Sequence, residues 1–195
     1  MRTLYLATTN PHKVREFRTL LDEGDVRVEA LDLTGIAEPD ETGTSFEENA
    51  RIKALAYAMR APGPVVSEDS GLEIDALHGE PGIRSARYLG PDATYAARFA
   101  DILHRLEGVP DARRTARFVC ALAVADGPRV LFETRGVVEG RIAHAAAGDG
   151  GFGYDPIFFY PDFGCTLAEA GTLKATVSHR AQAVRALARW LRDLR

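Results

Sequence analysis

The sequence predicts an α/β protein: a mixed central β-sheet flanked by helices, with two lobes around an active-site cleft. Three observations lead there. Short runs of β-branched and aromatic residues alternate with stretches whose apolar residues recur at helical spacing. Two apolar runs, 115–125 and 129–139, are separated only by Asp126-Gly127-Pro128, which marks a β-hairpin. Strand–helix and strand–strand connections in one chain of 195 residues then imply a sheet of mixed direction in a single domain, 1–195.

Each element has its own signal. Residues 3–8 read as a buried strand, and Val14, Phe17, Leu20 and Leu21 place a helix over 12–23. A second strand covers Val26 to Leu31. After an acidic, turn-rich stretch, Ser45 stands three residues before Glu48, a capping-box spacing that opens a helix running to about Arg60. Pro62-Gly63-Pro64 ends it. A strand beginning at Val65 to Ser67 leads into Glu68-Asp69-Ser70-Gly71, read as a strand end followed by a loop. A helix over 94–107 lines up Tyr95, Phe99, Ile102, Leu103 and Leu106, and a last one over 178–193 carries Val184, Leu187, Leu191 and Leu194 on one stripe.

Composition narrows the function. A hydrophobic content of 46% with 27% charged residues suits an ordinary core without metal or disulfide staples. The net charge of −4 argues against broad nucleic-acid binding, which needs a basic face. Cys120 sits in an apolar run and reads as a small buried hydrophobe; with Cys165 it forms no CxxC motif, so zinc and redox sites are not expected. The N-terminal apolar stretch is too short for a signal peptide or a membrane span, so a cytoplasmic protein without membrane contact is expected.

Four segments can carry chemistry. Thr8-Thr9-Asn10-Pro11-His12-Lys13 joins a strand end to a helix start, where free N–H groups and the helix dipole favour an anion. The same residues also suit a helix cap followed by a surface lysine. The chain has no GxxxxGK[ST] motif, which excludes a P-loop. The acidic set Asp40, Glu41, Glu47, Glu48, Glu68 and Asp69 suits Mg²⁺, which takes one or two carboxylates and keeps waters and phosphate oxygens. A solvated turn explains Asp40 and Glu47 better, and Asp69 less well, since it lies between apolar runs. In Gly148 to Phe159 the glycines allow close backbone approach, and Phe152 and Tyr154 could stack on a base; a packed glycine turn is the plainer alternative. Ser178 as a cap would put His179 and Arg180 in a first helical turn, where cations oppose the dipole unless an anion or an acceptor is near.

Taken in order, LATTNPHKVREF, DETGTSFEENARIKA, EDSGLEIDALHGEPGIRSARY, GFGYDPIFF and SHRAQA make the chain resemble the inosine triphosphate pyrophosphatase family along essentially its whole length. The resemblance implies Mg²⁺-dependent hydrolysis of noncanonical purine nucleoside triphosphates such as ITP, dITP and XTP to the monophosphate and pyrophosphate, by a homodimer. It implies Asp69 as proton acceptor and metal ligand, with Glu41 and Glu68 as further metal carboxylates. Thr8 to Lys13 and Lys53 are implied as phosphate contacts and Ser70 as a neighbouring substrate contact. Phe152, Gly153, Tyr154 and Asp155 are implied around the base, with Lys174, His179 and Arg180 as further contacts. Thr9 stands where the family usually has glycine or serine, and Glu68 where some members have aspartate. A pyrophosphatase for modified pyrimidine nucleotides, a nucleotide-binding regulator without turnover and a purely structural domain are the competing readings.

Overall fold

The computed structural model describes residues 2–8, 10–21 and 26–194. β1 (Arg2–Leu6) feeds α1 (Pro11–Leu21), and Pro11 suits a first helical position, where a missing N–H costs nothing. β2 (Val26–Ala30) lies parallel to β1, with Arg2 opposite Val26 and Leu6 opposite Ala30. α2 (Phe46–Ala58) starts as the capping signal requires: the Ser45 hydroxyl accepts the Glu48 N–H. The Glu48 carboxylate reaches back one residue further than a capping box needs, to the N–H of Thr44 at 2.6 Å. β3 (Val65–Ile74) then pairs parallel with β1 on its other side.

α3 (Tyr95–Arg105) follows, capped by the Thr94 hydroxyl, and then β4 (Thr115–Asp126) and β5 (Arg129–Ile142). Only Gly127 and Pro128 join these two neighbouring strands, a connection that antiparallel pairing permits. β6 (Phe158–Tyr160), β7 (Cys165–Thr166), α4 (Lys174–Val177) and α5 (His179–Asp193) complete the chain. The seven strands are ordered β2-β1-β3-β4-β5-β6-β7, parallel over β2-β1-β3 and antiparallel from β5 to β7, so the sheet is mixed.

The chain divides into two compact units. The first comprises Met1–Asp69, Cys120–Gly136 and His179–Arg195. Its core sets Phe17 and Leu21 of α1 and Ala183, Val184 and Leu187 of α5 among Leu4, Leu6, Val66, Cys120, Leu122 and Val124. Cys120 is buried as expected, and both cysteines are free thiols. The second unit comprises Ser70–Val119 and Val137–Ser178, and its core joins Leu72, Ile74, Ile102, Leu106, Phe118 and Phe158. There the buried Arg114 guanidinium donates to the carbonyls of Leu106, Ile142 and Ala143 at 2.8–2.9 Å, satisfying oxygens at the ends of α3 and β5. No helix among the described residues is long and apolar enough to cross a membrane.

Two boundaries differ from the sequence expectation. β3 does not stop at Ser67; it runs through Glu68-Asp69-Ser70-Gly71 to Ile74. Those polar residues look like a loop, but burial and ion pairing keep them in the sheet, and Leu72 and Ile74 resume the alternation. β7 and α4 have too few residues to leave a periodic signal. The last two positions of the first expected helix lie outside the described residues.

Gly136 of β5 lies against the start of α5. A Cβ there would collide with the His179 carbonyl oxygen and stand 2.8 Å from the Ala183 nitrogen, both backbone atoms that cannot swing aside. Gly136→Ala should cost about 1–3 kcal/mol by overpacking, read as a lower urea midpoint. An unchanged midpoint would mean that β5 and α5 separate freely.

Candidate active site

The site grows from one property of β3: successive residues of a strand point to opposite faces of the sheet. Glu68 shares its parity with Val66, which lies in the core with α1 and α5. Asp69 projects the other way, toward α2.

On the first face, Glu68 is fully buried and its oxygens are shared among several donors. Lys13 of α1 approaches Oε1 at 2.6 Å. Arg180 of α5 donates from Nε to Oε2 at 2.7 Å and from Nη2 to Oε1 at 3.1 Å. The Cys120 thiol donates to Oε2 at 3.4 Å. Arg180 also donates from Nη1 to Glu16 at 2.6 Å. Burial alone would raise the Glu68 carboxyl, but Arg180 and Lys13 overcome it and hold the group well below its ordinary range. Burial, followed by the Glu68 charge, pushes the Cys120 thiol well up, so it stays protonated. The two carboxylates and two cations of this cluster balance.

On the second face, Lys53 of α2 donates from Nζ to Asp69 Oδ1 at 2.8 Å and to Glu41 Oε1 at 2.7 Å. Asn49, one turn earlier, donates from Nδ2 to Asp69 Oδ2 at 3.4 Å. These three ionisable groups carry two negative charges against one positive. Burial raises the Asp69 carboxyl above its ordinary value and Glu41 adds to the rise, while Lys53 opposes both. Burial disfavours the Lys53 ammonium, but Asp69 and Glu41 outweigh it and shift that group upward. Among the described residues no three His, Cys, Asp or Glu side chains converge as metal ligands. The donor set is therefore a carboxylate pair already drawn together around one cation.

The second unit holds a third cluster. Asp155 is buried, and its Oδ2 accepts both the Phe152 N–H at 2.8 Å and the Lys174 ammonium at 2.6 Å. Lys174 lies 4.6 Å from the centre of the Phe152 ring. Gly151 has φ +72°, and a Cβ there would strike Asp155 Oδ2, so this turn needs glycine.

The expected residues thus fall into sets. Lys13, Glu68 and Arg180 come together, as do Glu41, Lys53 and Asp69, and as do Phe152, Asp155 and Lys174. Asn10 precedes α1, its N–H donating to the Thr8 hydroxyl at 3.1 Å; Pro11 and His12 lie in the first turn; Thr9 lies outside the described residues. Ser70 follows Asp69 on β3, Gly153 takes a positive φ, and His179 is buried at the start of α5.

Tyr154 corrects the expectation of a stacking face. It is 3% exposed, its ring packs edge-on to Tyr95, and its hydroxyl donates to the Ser85 carbonyl at 2.8 Å. Of the two expected rings, Phe152 is the one that stays a candidate for stacking. Arg180 also differs from a bare first-turn cation, since the anions beside it are the protein's own Glu68 and Glu16. Glu16 and Asn49 went unread in the sequence. The only signal for Asn49 is its place four residues before Lys53, on the same helical face.

Fold and site together define an α/β protein with two carboxylate–cation clusters on adjacent residues of one strand. Residues 4–190 match the model of the Ham1 family. The chain is 47% identical to a dITP/XTP pyrophosphatase of Geobacillus kaustophilus, over 94% of this chain and 91% of that protein. It is 43% identical to one of Photorhabdus laumondii, over 99% and 100%. Its fold is similar to that of a HAM1 protein from Coxiella burnetii, with a TM-score of 0.91 and 38% identity over 99% of this chain and 100% of that one. The Staphylococcus aureus Ham1 protein follows at a TM-score of 0.89 and 35% identity, each chain covered in full. This chain belongs to the Ham1 family.

Because Glu68 offsets the buried Arg180 guanidinium and the half-buried Lys13 ammonium, Glu68→Gln should destabilise the protein by about 3–5 kcal/mol. Glu47→Gln breaks only the exposed pair with Arg135 and should cost less than about 1 kcal/mol. Urea unfolding of both variants checks the difference; equal losses would contradict the network.

Proposed function

We propose that this chain hydrolyses noncanonical purine nucleoside triphosphates, ITP, dITP and XTP, to the monophosphate and pyrophosphate, with Mg²⁺ as cofactor. The observation that carries the mechanism is the Glu41–Lys53–Asp69 cluster, in which two carboxylates share one ammonium. The names of the Geobacillus and Photorhabdus relatives support the substrate class.

The donor set fits Mg²⁺. Two carboxylates converge on the Lys53 ammonium, which stands where a cation is needed, and the ion's other positions suit waters and phosphate oxygens. Glu41 and Asp69 would hold it. Glu68 is paired with two cations, Lys13 and Arg180. When bound, Mg²⁺ would neutralise phosphate oxygens and the charge that develops on them. The Lys53 ammonium would then be free to exchange its carboxylate partners for phosphate.

The remaining steps belong to the chain. Thr8 to Lys13 and the first turn of α1 bind the phosphate tail through N–H groups and the Lys13 charge. Asp69 takes a proton from water as its oxygen bonds to the α-phosphorus. The bond to the bridging oxygen breaks and pyrophosphate leaves. Phe152 stacks on the base, and Lys174 beside it supplies a donor. Donors suit a 6-oxo purine and leave a 6-amino group unpaired, which costs about 1–3 kcal/mol, or roughly ten- to a hundredfold per contact. The resemblance further supports a cytoplasmic homodimer, for which light scattering should give twice the chain mass.

Pyrophosphate release from ITP, dITP and XTP should be fast with Mg²⁺, abolished by chelator, and roughly ten- to a hundredfold slower from ATP. Asp69→Asn should fold normally and lose turnover by about 10²–10⁴-fold. Full activity in that variant, or in chelator, would reject the mechanism. Equal rates with ATP would reject only the selectivity.

A further inference from the structure

Asn49 is wholly buried on α2, and none of the chemistry above uses it. Its carboxamide joins the two pieces of chain that carry Glu41 and Asp69. Oδ1 accepts the N–H of Gly43, two residues beyond Glu41, at 2.9 Å. Nδ2 donates to Asp69 Oδ2 at 3.4 Å. A backbone N–H can only donate, so it fixes Oδ1 as the acceptor end and leaves the NH₂ end for the carboxylate.

The contact is close on the loop side too. A Cβ on Gly43 would stand 2.6 Å from Asn49 Oδ1 and 2.7 Å from Glu48 Cβ, so the loop lies directly on the first turn of α2. Thr44 fastens the same loop through its N–H and hydroxyl to Glu48, at 2.6 and 3.0 Å. That second fastening holds the loop to the helix but does not reach Asp69. Asn49 and Lys53 both join the loop to Asp69, Asn49 through the Gly43 N–H and Lys53 through Glu41. Asp69 thereby has its oxygens divided, Oδ1 to Lys53 and Oδ2 to Asn49. A carboxylate torsion is broad when nothing holds it; two different donors fix its plane.

We propose that Asn49 is a positioning residue. One amide sets the plane of the Asp69 carboxylate and its distance from Glu41, presenting the pair ready-spaced for a divalent cation. The assignment rests on Glu41 and Asp69 being the metal-holding pair. Partners that orient metal ligands are worth about 10–100-fold in metal affinity.

The test is titration of the whole chain with Mn²⁺, with and without saturating inorganic pyrophosphate, following free Mn²⁺ by electron paramagnetic resonance. Asn49→Ala should weaken Mn²⁺ binding about 10–100-fold and raise the Mg²⁺ needed for half-maximal turnover in proportion, with kcat recovering at high Mg²⁺. Gly43→Ala should act in the same direction from the loop side. The double variant should bind Mn²⁺ no worse than the weaker single one, since both break one link. Ser45→Ala removes only the cap of α2; it should lower the melting temperature and leave Mn²⁺ affinity unchanged. A folded Asn49→Ala with parental Mn²⁺ affinity, or a Ser45→Ala with an equal loss, would overturn the assignment. Glu41→Gln separates the two layers: parental Mn²⁺ binding in that variant would remove the metal pair itself, and the Asn49 assignment with it.

Discussion

Two carboxylates on adjacent residues of a buried strand cannot share one environment. The pleat sends Glu68 to the α1–α5 face and Asp69 to the α2 face, and each burial calls for cations from a different helix. The surrounding structure answers that requirement. Lys13 and Arg180 come from helices at opposite ends of the chain. Their meeting at Glu68 ties the first and last helices of the chain to its third strand. Lys53 and Asn49 do the same for α2 on the other face.

The faces differ in charge, and the difference separates support from chemistry. Glu68 and Glu16 against Lys13 and Arg180 make a balanced set, with every member held by hydrogen bonds. Such a set has no appetite for another ion. On the other face Asp69 and Glu41 share the Lys53 ammonium. Burial raises both carboxyls; Arg180 and Lys13 overcome it at Glu68, while at Asp69 Lys53 does not and Glu41 adds to the rise, so neighbours in sequence shift in opposite directions.

Much of this was legible beforehand, and the rest was hidden for definable reasons. Helices with strong apolar stripes fell within a few residues of their observed ends, and the Ser45–Glu48 cap and the hairpin at Gly127-Pro128 appeared as read. The grouping of Lys53 with Asp69 and Glu41 was implied by the resemblance rather than by spacing. The middle of β3 was misread because a run of charge resembles a loop when its partners lie far away in sequence. Tyr154 looked like a stacking face because composition alone does not tell an open ring from a packed one. Asn49 was silent because an amide inside a helix carries no signal of what it bridges. The shared parity that sorts Val66 with Glu68 was available in the sequence, but it has meaning only once the strand is known to continue.

The two units solve one problem in the same way, although their folds differ. A loop carrying functional groups must be held still without a long hydrophobic anchor. In the first unit a backbone N–H at Gly43 is accepted by the side chain of Asn49; in the second, the N–H of Phe152 is accepted by Asp155. In each case the accepting side chain has a second polar partner in the cluster, Asp69 or Lys174. In each case a glycine lies against it with no room for a Cβ. A single buried polar side chain thus fixes the loop and a reactive or binding group at once. Loss of either contact frees both, so positions of this kind should tolerate substitution less well than many residues that touch the substrate directly.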